Sequence, residues 1–211
     1  MLSKRLSDAA LGAAVVIGVG LSVLPARAGY VVVLKQEAGG VVATGSGSID
    51  LTGLTFFVST RGTGAAAVPR EAIIATGAPA NTIDGIDGYT GFTGPTSFGP
   101  GGGRLANISL ATGDDVEIVG NPDQLGQPEL FVPHNYVNDT PLSDTAPYNG
   151  ESFSSIGATP GTYEWKWGTG PDQNFTLDVV PEPSTWIMML AGFAGLGFAA
   201  YRARAAATSN V

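Results

Sequence analysis

Two apolar blocks, one near each end of the 211-residue chain, hold many of its hydrophobic side chains and leave only the stretch between them free to build a folded core. The overall hydrophobic content of 44% therefore overstates the middle. At the N-terminus, Lys4 and Arg5 precede an apolar run from about Ala9 to Leu24, followed by Pro25 and Ala26-Arg27-Ala28. A charged head, an apolar centre and small residues before a cut are the order of a secretory signal peptide. Ala26 and Ala28 form the expected signal peptidase site, so residues 1–28 are removed and the mature chain begins at Gly29. A retained membrane helix fits less well, because the run is short and ends at a helix-breaking proline.

The other end reads Val179-Val180-Pro181-Glu182-Pro183-Ser184-Thr185, then an uncharged run from Trp186 to Tyr201, then Arg202 and Arg204. As a helix the run covers about 24 Å at ~1.5 Å per residue, against a hydrocarbon thickness of roughly 30 Å. The shortfall is usable, since Trp186 and Tyr201 suit the two interfaces and a bilayer thins locally at modest cost. Arginines behind the run place a short tail, 205–211, in the cytoplasm and everything before Trp186 outside. Pro181 and Pro183 keep the backbone before the run extended, an elbow that a protease can grip.

Pro-Glu-Pro, a Trp-led apolar helix containing Gly-Phe-Ala-Gly-Leu-Gly-Phe-Ala, and closing arginines resemble, in that order and at the extreme C-terminus, the PEP-CTERM sorting signal. The resemblance implies a Gram-negative bacterium in which the membrane protease exosortase recognises Pro181, Glu182 and Pro183. It further implies that 181–204 is the sorting signal, with a transient transmembrane helix over 186–201 and a stop-transfer pair, Arg202 and Arg204. The middle also resembles short secreted PEP-CTERM proteins, through Val-Val-Ala-Thr-Gly-Ser-Gly-Ser-Ile-Asp-Leu-Thr-Gly-Leu at 41–54 and Thr-Pro-Gly-Thr-Tyr-Glu-Trp-Lys-Trp-Gly at 159–168. That second likeness implies an address and a fold rather than a reaction.

Between Gly29 and Val180 no stretch sustains an apolar period of 3.6, while Gly, Thr, Ser and Pro recur throughout. Strands are the expected material. They are predicted at Tyr30–Gln36, Val41–Leu51, Leu54–Ser59, Glu71–Thr76, Leu105–Leu110, Val116–Val119, Glu129–Val132, Thr162–Trp167 and Phe175–Val180. Short strands between turn signals predict an all-β fold, a small β-sandwich or jelly-roll-like domain over 29–180. The last two runs alternate cleanly: Tyr163, Trp165 and Trp167 on one face, then Phe175, Leu177 and Val179. The loop Gly168-Thr169-Gly170-Pro171-Asp172-Gln173 suits a hairpin between them.

Composition then excludes several chemistries. Five basic residues stand against sixteen acidic ones over 29–180, a net charge of −11, so no nucleic acid is expected as a partner. The chain has no cysteine, which removes disulfides, thiolate nucleophiles and Cys-ligated metals. His134 is the single histidine and follows Pro133 without any Gly-x-Ser-x-Gly elbow in the chain, so it reads as a turn residue rather than a catalytic base. Asp84, Asp87, Asp114 and Asp115 are weak candidates for calcium, a cation suited to loop carboxylates, but they match no EF-hand spacing and Asp-Gly pairs are ordinary turn formers. Tyr89, Phe92 and Phe98 lie in a Gly/Thr-rich stretch, where exposed rings would stack on sugars and buried ones would anchor a long loop, the favoured reading.

The expectation is therefore an exported surface or matrix protein without enzymatic activity or cofactor. Signal peptidase and exosortase are its processing partners, and exopolysaccharide or biofilm its setting. A carbohydrate- or calcium-binding module is the first alternative. A hydrolase using paired carboxylates is the second, and it requires two carboxylates converging in one cleft.

Overall fold

The structure, a computed structural model, describes residues 29–80, 85–102, 105–106, 110–121, 126–181, 189–198 and 201. Thirteen strands form among them: β1 (Tyr30–Glu37), β2 (Gly40–Gly47), β3 (Thr55–Thr60), β4 (Ala66–Val68), β5 (Ile73–Thr76), β6 (Ile86–Thr90) and β7 (Leu105–Ala106), followed by β8 (Thr112–Gly113), β9 (Val116–Val119), β10 (Glu129–Pro133), β11 (Leu142–Asn149), β12 (Gly161–Lys166) and β13 (Asn174–Val180). One sheet runs β12-β13-β1-β2-β11-β8 and the other β3-β6-β10-β9-β5-β4-β7. A short helix, α1 (Phe153–Ile156), packs Phe153 and Ile156 inward and is capped by Ser152 and Ser155.

The two inner faces share one apolar core. Tyr30, Val32, Leu34, Val41, Ala43, Phe175 and Leu177 from the first sheet meet Ile74, Val116, Ile118, Leu130 and Val132 from the second. This is the expected all-β sandwich, with side chains from each inner face interdigitating. It departs from a jelly roll, whose strands are antiparallel, in one place: β1 and β13 pair parallel, from Tyr30 opposite Phe175 to Lys35 opposite Val180. The predicted hairpin forms, β12 antiparallel to β13. Of its three aromatics Trp165 is fully buried, while Tyr163 and Trp167 are partly covered.

Several predicted strands are corrected. The run from Val41 stops at Gly47, whose φ of +131° turns the chain out of the sheet. Glu71 belongs to a 3₁₀ turn, Pro69–Glu71, so β5 begins only at Ile73. The strand expected over Leu105–Leu110 is seen as β7 alone; Leu110 lies in a turn and 107–109 lie outside the described residues. Four further strands, β4, β6, β8 and β11, lie outside the predicted runs, among turn-forming residues. In β6 the Asp87-Gly88 pair is strand, not turn, because β10 and β3 pair with it on either side, and glycine fits at 88 because a Cβ there would meet the rings of Phe131 and Phe57 at 2.7 and 2.8 Å. In β11, Pro147 sits beyond the two residues, Asp144 and Thr145, that pair with β8, where the outer edge of the strand lacks a ladder partner among the described residues.

Candidate functional site: the sorting segment and the buried acids

Because β1 and β13 run parallel, Gly29 and Pro181 leave the sandwich at opposite ends. Val180 is the last strand residue and Pro181 follows at once, exposed, so the domain reaches its Pro-Glu-Pro segment without a linker. The outer face of this sheet carries a groove of about 640 Å³ that ends at Pro181 and is lined by Val31, Val33, Ser46, Thr162 and Asp178. Glu182, Pro183, Trp186, Arg202 and Arg204 lie outside the described residues, as do Ala26 and Ala28. Residues 189–198 are helical, and Leu190, Phe193, Leu196 and Phe198 stand 63 to 69% exposed rather than packed into the core. Among the described residues no helix is long and apolar enough to cross a membrane, so the expected transmembrane helix over 186–201 is not supported by them.

A two-sheet domain that ends in a Pro-Glu-Pro segment and an exposed apolar helix has the layout of a protein addressed by its tail. The family model described as the PEP-CTERM protein-sorting motif matches residues 179–204. The chain thus carries that motif and is an exported protein sorted by way of the membrane, with exosortase as its processing partner. No curated protein and no solved structure matches the chain.

The polar candidates are placed separately. His134 is partly exposed and its Nδ1 lies 2.9 Å from Asp87 Oδ1. The same oxygen accepts from Ser59 Oγ at 2.7 Å, and Asp87 Oδ2 accepts from the Asn135 amide at 3.0 Å. Burial opposes the charged carboxylate, yet these hydrogen bonds outweigh it and hold Asp87 below the ordinary aspartate value. The arrangement is Ser–Asp–His with the acid in the middle. A nucleophilic serine needs its proton taken by the histidine, whereas Ser59 donates to the carboxylate.

Among the described residues the calcium candidates do not form a metal-binding group. Asp84 lies outside the described residues, Asp87 is engaged as above, and Asp114 Oδ2 accepts from the Ser143 amide at 2.8 Å. Asp115 is buried, its carboxyl pushed up by burial against the opposing bonds from the Ala80 and Gly64 amides, and its Oδ1 has no hydrogen-bond partner among the described residues. No group of three metal-ligating acids or histidines occurs among the described residues. Two of the aromatics follow the favoured reading: Phe92 and Phe98 are buried, against Trp167 at 6.2 Å and Tyr163 at 6.0 Å, and so anchor the long loop after β6, whereas Tyr89 lies within β6 itself, half-buried against Phe56 at 5.8 Å.

One residue escaped the sequence reading. Asp144 faces the core from β11, 5% exposed, where it accepts from the Tyr30 hydroxyl and, at 3.0 Å, from the Gly45 amide. Burial drives its carboxyl up to about 7, with the Gly45 bond opposing. The signal was present in the period of two: Leu142, Ala146 and Tyr148 are buried with it, so Asp144 occupies a core position of an alternating strand. Gly45 lies between the two partners, and a Cβ there would collide with the Tyr30 hydroxyl and with Asp144 Oδ1. Gly45→Ala is accordingly expected to lower stability by about 1–3 kcal/mol through overpacking, read as a fall in the urea midpoint. An unchanged midpoint would mean that the pair has room to shift.

Proposed function

We propose that this is a non-enzymatic surface or extracellular-matrix protein. In this reading 1–28 is a signal peptide cut after Ala28, 29–180 is the working domain, and 181–204 is the sorting signal. The helix over 186–201 anchors the domain in the membrane of a Gram-negative cell, with 205–211 in the cytoplasm, until exosortase acts near Pro181-Glu182-Pro183 and passes it to an exopolysaccharide-rich exterior. The reading rests chiefly on one observation: the sorting motif joins the last strand directly, and its apolar helix is exposed rather than part of the core. A fold that needed that helix would bury it, since apolar surface left in water forgoes roughly 25 cal/mol per Å². The non-catalytic part is supported by the engagement of Ser59 and His134 with Asp87.

Intact-mass analysis of the released protein, in cells with and without exosortase, tests the proposal. Cells with the enzyme are expected to release a chain lacking Arg202 and Arg204, while cells without it retain the full tail in the membrane fraction. Glu182→Ala with Pro183→Ala is expected to reproduce the second result in the first strain. Release of a chain that keeps both arginines would defeat the assignment.

A further inference from the structure

Gly29 is the residue that signal peptide removal would expose, and it is already built into the domain. It is buried, and its nitrogen donates to Asp172 Oδ1 at 2.6 Å across 143 positions of sequence. Its φ of +107° and the Asn174 side chain, 2.5 Å from where a Cβ would stand, make glycine the fitting residue there. Asp172 lies in the β12–β13 turn and is itself held, its carbonyl accepting from the Asp50 amide at 2.9 Å. The contact therefore ties the start of β1 to the turn preceding β13, at the first rung of the parallel pair, where Tyr30 faces Phe175.

This end of the sandwich is acidic. Burial raises the Tyr136 hydroxyl, and the negative charges of Asp139, Asp172 and Asp114 raise it further, so these carboxylates share one neighbourhood. The cationic side chains of Lys35, Arg70 and Lys166 pair elsewhere, with Glu37, Glu71 and Glu164.

We propose that the ammonium group freed at Gly29 by signal peptide removal pairs with Asp172, so that maturation itself locks β1 against the β12–β13 turn. The inference rests on cleavage after Ala28. Signal peptidase hydrolyses the Ala28–Gly29 bond with one water; the carboxylate leaves on Ala28 and the amine on Gly29 takes up a proton. A neutral amide donor thereby becomes a unit positive charge at the same place, which adds the Coulomb attraction of an ion pair to a bond whose carboxylate acceptor is already charged. Gly29 and Asp172 also border a cleft of about 440 Å³ with Ser46, Gly47, Pro141 and Leu142, which leaves space to hydrate the added hydrogens. Before cleavage the domain has the contact without the charge, and afterwards it has both.

The test inserts one alanine between Ala28 and Gly29, which keeps the Ala26-Arg27-Ala28 cleavage site but moves the free amine one residue away. Full-length chains exported from their own signal peptide are compared by pulse proteolysis in urea, and intact mass reads their first residue. The native terminus is expected to unfold at a urea midpoint higher by about 0.5–1 M, for a charged bond of ordinary strength and a usual urea slope. Asp172→Asn is expected to lower the midpoint of the native-terminus chain and to leave that of the extended chain nearly unchanged. Equal midpoints for the two termini, or effects of insertion and Asp172→Asn that simply add, would overturn the pairing. A mature chain that starts elsewhere than Gly29 would overturn the cleavage reading and the pairing together.

Discussion

Trp165→Ala is expected to cost the domain about 3–5 kcal/mol, the range for deleting a large buried aromatic from a packed core. Trp165 is fully buried, packs edge-on to Phe175 at 5.7 Å, and donates from Nε1 to the Pro95 carbonyl at 2.9 Å. Its ring also occupies space that Gly94 and Gly120 leave free, since a Cβ at either position would press on the indole. Beside it the Thr93–Lys166 bridge ties the loop after β6 to β12. Truncation therefore removes apolar burial, leaves a cavity between the sheets, and strands the Pro95 carbonyl. Trp165→Phe separates these contributions: it restores most of the ring but not the donor, so a smaller loss of about 1–3 kcal/mol remains for the unpaired carbonyl. Urea unfolding of both variants measures the difference. A loss below about 1 kcal/mol for the alanine variant would show that the core closes without the indole.

The second large effect is a dependence on pH centred on Asp144. Burial pushes the folded carboxyl up to about 7 from its ordinary value of 3.8, so the folded state holds this proton more tightly than the unfolded chain does. Its contribution to stability is complete below pH 3.8, declines as pH rises, and is lost once pH passes 7. At 1.36 kcal/mol per unit the ceiling on that loss is ~4 kcal/mol. Asp50 and Asp87 act in the opposite sense, being held low, so they stabilise above the ordinary aspartate value and weaken the fold as pH falls. Asp144→Asn isolates the buried acid, because the amide is neutral throughout; its oxygen still accepts from the Gly45 amide, and its nitrogen, in the place of Oδ2, donates to the Tyr30 hydroxyl oxygen. The variant is expected to match the native protein near pH 4 and to exceed it by a few kcal/mol at pH 8. Parallel urea curves across that interval, with a constant gap between the two proteins, would refute the prediction.

The two C-terminal strands were legible in the sequence because alternation is a property of neighbours: Phe175, Leu177 and Val179 point inward whatever lies across the sheet. β11 carries the alternation of Leu142, Ala146 and Tyr148 but was missed, because Asp144 and Pro147 interrupt it with strong local penalties that only its partners remove. Gly45 and Tyr30 receive the acid, and the outer edge beside Pro147 lacks a ladder partner among the described residues. β6 failed for the same kind of reason, since Asp87-Gly88 is a turn by preference and a strand here because β3 and β10 pair with it on either side.

By itself the sequence determined the address and the fold class. A sorting motif is read as a linear string by membrane enzymes, and strand periodicity repeats every two residues, so both survive without knowledge of the fold. The tertiary structure alone decided that the first and last strands pair in parallel, that the two ends leave the domain on opposite sides, and that Tyr30 meets Asp144. That last contact joins residues 114 positions apart. No local pattern encodes such a meeting; it follows from closing the sheets around a shared core, where burial then sets the charge state of whatever acid is enclosed.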